Sequence, residues 1–151
     1  MQPAEPRAII LVDHGSRLPA ANQMLEDVAV LVRARQPSPV YAAHMELAEP
    51  SIEHAFTSAV YDGARHILVF PYFLSPGRHS QQDIPRLVAQ AAEQHPGVGW
   101  HVAGPFGLEG LLADVIVSRL SHCVVAGFSC ERCPSGSCPS NGLSPAAAAG
   151  Q

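Results

Sequence analysis

Apolar runs and helical stripes alternate along the chain from residue 7 to about residue 122. Arg7 to Val12 is a continuous apolar run of strand length, and Pro19 to Arg35 sets Leu25, Val28, Ala29 and Val32 on one helical face. Pro37 and Pro39 end that helix. Val40 to Leu47 predicts a second strand, and a helix opening at Pro50 or Ser51 places Ile52, Ala55, Phe56 and Ala59 on one side before Gly63. His66 to Tyr72 is apolar enough to predict a third, central strand buried on both faces. Asp83 has the chemistry of an N-cap, with Pro85 tolerated in the first turn of a helix carrying Ile84, Leu87, Val88 and Ala91. Pro96 and Gly97 precede a fourth strand, Val98 to Ala103, and a last helix runs from Leu108 to His122. The order βαβαβαβα predicts an α/β single domain, a four-stranded mostly parallel sheet with helices on both faces.

Length and charge narrow the function classes. At 151 residues the chain is one domain on size alone. Only 15% of it is charged, against about a quarter in ordinary domains, which fits a compact fold with a buried subunit interface. A net charge of −4 supplies no basic field, so nucleic acid is not an expected partner. No apolar stretch approaches the roughly 20 residues of a membrane span. Met1 to Pro6 lacks a basic start and an apolar core, so neither a secretory signal nor a transit peptide is expected there.

His14, Glu46 and His79 each lie at the carboxyl end of a predicted strand or in the loop that follows it, and parallel strands deliver such residues to one edge of the sheet. Two imidazoles and a carboxylate suit a divalent transition ion or a proton-transfer site. The plainer alternative is three polar loop residues. His44 shares the facing of Glu46, two positions on, and reads either as a fourth site member or as a satisfied histidine at the sheet edge. Ser16 is a weak nucleophile candidate, since no G-x-S-x-G elbow surrounds it. Arg17 and Arg78 flank the two histidines and are candidates to clamp substrate carboxylates. His54, His66, His95, His101 and His122 sit in helical, strand-start or surface contexts and read as structural.

The character of the chain changes at Cys123. Cys123, Cys130, Cys133 and Cys138 are the only cysteines, and their clustering argues for a metal or redox device rather than a disulfide framework. Four thiolates fit tetrahedral zinc or an iron–sulfur cluster. The tail beyond is rich in Ser, Pro, Gly and Ala and is expected to be disordered over residues 139–151.

These residues carry a resemblance. Val12-Asp13-His14-Gly15-Ser16-Arg17, the stretch from Ala43 to Ile52, and Phe73 to His79 with Gln82-Asp83-Ile84-Pro85 resemble the short sirohydrochlorin chelatases of the CbiX/SirB type. The likeness spans about residues 7 to 122, and the cysteine tail resembles the plant and algal branch. It implies a chelatase-like domain over residues 1–122, a cluster-binding tail over 123–138, and insertion of Fe2+ into sirohydrochlorin to make siroheme. By the same resemblance His14, Glu46 and His79 bind the metal and accept pyrrole protons, and the four cysteines hold a [2Fe–2S] cluster. A homodimer and a chloroplast stromal location are also implied. Cobalt or nickel insertion into the same macrocycle is the near alternative. A non-catalytic metal carrier or redox module is the distant one.

Overall fold

The computed structural model describes residues 6–127. They form β1 (Arg7–Asp13), α1 (Pro19–Arg33), β2 (Val40–His44), α2 (Ile52–Tyr61), β3 (His66–Pro71), a π-helical turn (His79–Asp83), α3 (Ile84–Glu93), β4 (Gly99–Val102) and α4 (Gly110–Val125). The chain divides into two compact units, one ending at Gly107 and one beginning at Leu108. Cys130, Cys133, Cys138 and residues 139–151 lie outside the described residues. No described helix is long and apolar enough to cross a membrane.

The four strands are parallel and ordered β2-β1-β3-β4. Strand alternation divides their side chains between two cores. Ala8, Ile10, Val12, Ala43, Ile67 and Val69 meet Ile52 and Phe56 of α2 and Ile84, Val88 and Ala91 of α3. Leu11, Val40 and Ala42 point the other way, onto Leu25 and Ala29 of α1. Phe56, Ile10, Leu25 and Ile67 are fully buried, and each such side chain contributes about 1.5–3 kcal/mol relative to exposure. The expected β3 buried on both faces is corrected on one side. Ile67 and Val69 are buried, but Leu68 and Phe70 are half-buried and line an apolar groove of about 440 Å³ beside α1.

Topology decides where a ligand can sit. The chain leaves β1 for α1 on one face and leaves β3 for α3 on the other. The carboxyl ends of β1 and β3 are therefore the switch point, where open parallel sheets offer a crevice.

Three element ends depart from the sequence reading. β2 stops at His44 instead of Leu47, and the chain turns away at Leu47, whose φ is 68°. Asp83 makes no side-chain cap; a π-helical turn already winds through it into α3. The last helix extends to Val125, so Cys123 lies inside α4. Its start is capped by the Glu109 carboxylate, which accepts from the Leu111 N–H at 3.3 Å.

The outer edge of β2 is partly occupied by its own chain. Arg33 donates Nε at 2.8 Å and Nη2 at 2.6 Å to the Val40 carbonyl. At the far end of the strand the His44 N–H donates to Pro50 at 2.8 Å. Nearby, the Tyr41 hydroxyl donates to Asp62 at 2.6 Å. Burial, then the Asp62 hydrogen bond and charge, push the Tyr41 pKa from 10.0 up to about 12, with Arg33 opposing. A raised folded value means the contribution is intact below pH 10.0 and is lost as pH climbs through about 12. Tyr41→Phe is expected to flatten the fall in thermal midpoint across that window. An alkaline limb identical to that of the parent would show that the pair adds nothing.

Candidate metal and proton-transfer site

Strand pairing continues past the ends of β1 and β2, and this continuation builds the site. The Met45 N–H donates to the Asp13 carbonyl at 2.9 Å and the Glu46 N–H to the His14 carbonyl at 3.1 Å. His14 and Glu46 are thereby set side by side, with His14 Nε2 at 2.7 Å from Glu46 Oε1. Gly15 permits the approach. Its φ is +85°, and a Cβ there would sit 1.9 Å from the Glu46 carbonyl oxygen. Leu47 turns the chain away at a left-handed φ that costs a non-glycine residue about 1–2 kcal/mol.

The loop after β1 is clamped from α1 as well. Asn22 accepts from the Ser16 N–H at 2.8 Å and donates to the Ser16 carbonyl at 2.7 Å. The Ser16 hydroxyl accepts from the Leu18 N–H at 3.0 Å, so it serves the turn that starts α1.

His79 arrives from the other side of the switch point. It opens the π-helical turn, where the Ile84 N–H reaches back to the His79 carbonyl. Within the turn Ser80 is buried and its hydroxyl bonds the Gly77 carbonyl. His79 stays on the open face, with Nδ1 at 2.9 Å from Asp83 Oδ2. A carboxylate on one imidazole nitrogen fixes the ring and leaves Nε2 for a ligand, an arrangement common at metal-binding histidines. The His14 and His79 rings meet edge to face with centroids 5.2 Å apart, and Phe73 lies 6.3 Å from His79 on a tilted plane.

Glu46, from the loop after β2, and His79, from the π-helical turn after β3, therefore both meet His14. His14 is 40% exposed and Glu46 55%, so a hydrated ion has access. Among the described residues no group of three or more His, Cys, Asp and Glu side chains is arranged to hold an ion. Glu46 instead contacts His14 directly.

Arg17 is exposed on the loop after Ser16; Arg78 is exposed beside His79, its Nε 3.8 Å from Asp83. His44 is buried against Asp13 and does not reach the open face. His54 lies 3.7 Å from Glu49, and His95 stacks on Phe56 and bonds Thr57, which fits their structural reading. Sequence reading missed Asp83 as a partner of His79, although the four-residue spacing was a usable signal. It also missed Asn22 and Phe73, which carry no distinctive pattern.

Fold and site together define a class: an open parallel α/β domain presenting two imidazoles and a carboxylate at its switch point. The chain belongs to the CbiX family, whose model matches residues 8–123. It is similar to "Sirohydrochlorin ferrochelatase, chloroplastic" of Arabidopsis thaliana, 45% identical over 117 residues, 77% of this chain and 52% of the Arabidopsis protein. It is also similar to "Sirohydrochlorin cobaltochelatase" of Methanocaldococcus jannaschii, 40% identical over 89 residues, 58% of this chain and 62% of that protein. Among solved structures, the sirohydrochlorin chelatase SirB from Bacillus subtilis subspecies spizizenii in complex with cobalt superposes with a TM-score of 0.73 at 32% identity, covering 79% of this chain and 51% of SirB. The chain thus spans about half to three fifths of the length of these relatives.

Proposed function

We propose that this protein is a sirohydrochlorin ferrochelatase, inserting Fe2+ into sirohydrochlorin to give siroheme. The observation that carries the proposal is the meeting of His14, Glu46 and His79 at a solvent-open switch point. In the reaction two pyrrole N–H bonds break and the ion gains the freed nitrogens, so two protons must leave. His14 and Glu46, already in contact, are the acceptors on one side. His79, oriented through Nδ1 by Asp83, presents Nε2 from the other. An open, mixed nitrogen and oxygen set holds an ion loosely enough to release it. Arg17 and Arg78 would meet the carboxylate arms of the macrocycle.

Cobalt or nickel insertion is the second reading, because imidazole and carboxylate discriminate weakly among first-row ions. The cobalt in SirB and the name of the Methanocaldococcus relative favour keeping it. Anaerobic assays with iron, cobalt and nickel in parallel, monitored by the absorption change on metallation, decide between them. Tight stoichiometric metal binding with no metallated product from any ion would overturn chelatase activity in favour of a carrier.

Residues 1–122 would carry this activity and residues 123–138 a cluster site. Cys123, near the end of α4, together with Cys130, Cys133 and Cys138 supplies the four thiolates of a [2Fe–2S] cluster. Such a cluster supplies one-electron redox chemistry. Iron and sulfide analysis with visible charge-transfer absorption tests for it. A homodimer is supported by the low charged fraction, and a plastid location by the name of the Arabidopsis relative.

A further inference from the structure

His44 and Ser80 are the buried polar side chains of the described core, and His44 is only 3% exposed. An imidazole at that depth costs free energy unless it is paired. Its Nδ1 lies 2.5 Å from Asp13 Oδ1. The same oxygen accepts the Gly15 N–H at 2.9 Å. One carboxylate oxygen therefore ties a buried ring on β2 to the turn residue just after His14.

The tie is reinforced on both sides. The His44 backbone N–H is held by Pro50, and the next two N–H groups along the chain, Met45 and Glu46, donate to Asp13 and His14. A Cβ on Gly15 would lie 3.1 Å from the Cβ of His44, so the turn lies directly against the base of the His44 side chain. His14 sits between Asp13 and Gly15, the two residues so fixed. Glu46 sits two residues beyond His44 on the other loop. The residue shared by both supports is His44, by its ring toward Asp13 and by its backbone N–H toward Pro50.

We propose that His44 is a positioning residue of the insertion site. Through Asp13 it holds the His14 turn against Glu46 and sets the spacing into which the ion enters, while touching neither ion nor macrocycle. The inference rests on the reading of His14 and Glu46 as the inserting pair. It separates a ring needed for its nitrogen from one needed only for its bulk. His44→Phe keeps an aromatic ring and removes the nitrogen, whereas His44→Asn returns an amide nitrogen near the place of Nδ1.

The experiment compares these two variants with the parent protein in insertion kinetics and in affinity for Co2+ alone, read by cobalt absorption without any tetrapyrrole. Phe is expected to lower both turnover and cobalt affinity by about 10–100-fold, the usual range for a residue that orients metal ligands, with KM for the macrocycle within about twofold of the parent. Asn is expected to restore most of both. Phe at parental values in a folded protein would overturn the proposal, as would Asn and Phe impaired alike. Should Phe fail to fold, Asp13→Asn weakens the same link from the other side and is read against the same expectations. A parent protein with no insertion activity would overturn the chelatase reading instead, and the cobalt arm would still decide the role of His44.

Discussion

Alanine at His14 or at His79 is expected to lower the rate of metal insertion by about 10²–10⁴-fold, the range for losing a positioned proton acceptor. Both side chains are close to half exposed, so their removal should leave the thermal midpoint nearly unchanged. Loss of rate without loss of stability is the signature to look for. Because the two rings meet at 5.2 Å, and under the proposed function would serve one ion, their effects should not multiply. The double variant is expected to be about as slow as the slower single variant, as for groups that act as a unit. Steady-state insertion assays beside melting curves check this. A double variant with full activity would remove both histidines from the reaction.

Gly15→Ala is expected to abolish insertion and to lower stability together. A Cβ at this position would stand 1.9 Å from a backbone carbonyl oxygen, that of Glu46, and a backbone atom cannot rotate out of the way as a flexible side-chain end can. The φ of +85° adds left-handed strain of about 1–2 kcal/mol. Relief requires parting the loops after β1 and β2, which separates His14 from Glu46. Gly63 is the internal control: its φ is +104°, yet nothing lies within 4 Å of a Cβ placed there. Gly63→Ala should cost strain alone and leave insertion intact. Equal loss of activity in the two variants would show that strain, not contact with Glu46, governs the effect.

Much of this arrangement was legible from periodicity. Apolar runs located all four strands, and helical stripes located α1, α2 and α3 to within a few residues, because both depend on side-chain spacing that the sequence displays directly. The convergence of His14, Glu46 and His79 came from parallel topology alone. What escaped depends on backbone geometry that has no residue signature. The π-helical turn at His79–Asp83 reads as a loop in sequence, since a hydrogen bond spanning five residues selects no particular amino acid. Asp83 looked like a cap because a cap and a histidine partner are both hydrogen-bonding carboxylates; only the winding of the turn tells them apart. His44 stood between two readings for a similar reason. Strand alternation gave its facing, but β2 ends at His44 and Glu46 lies beyond the regular pleat.

The grip of Arg33 on Val40 has a consequence for the behaviour of the protein at high concentration. β2 is an edge strand, and open edges recruit strands from other molecules into growing, insoluble sheets. Here a two-pronged guanidinium occupies the carbonyl at one end of that edge and Pro50 occupies the N–H at the other. Too short a row of backbone groups is left between them to template an intruding strand. The contact that closes α1 onto the sheet thus doubles as a guard against aggregation.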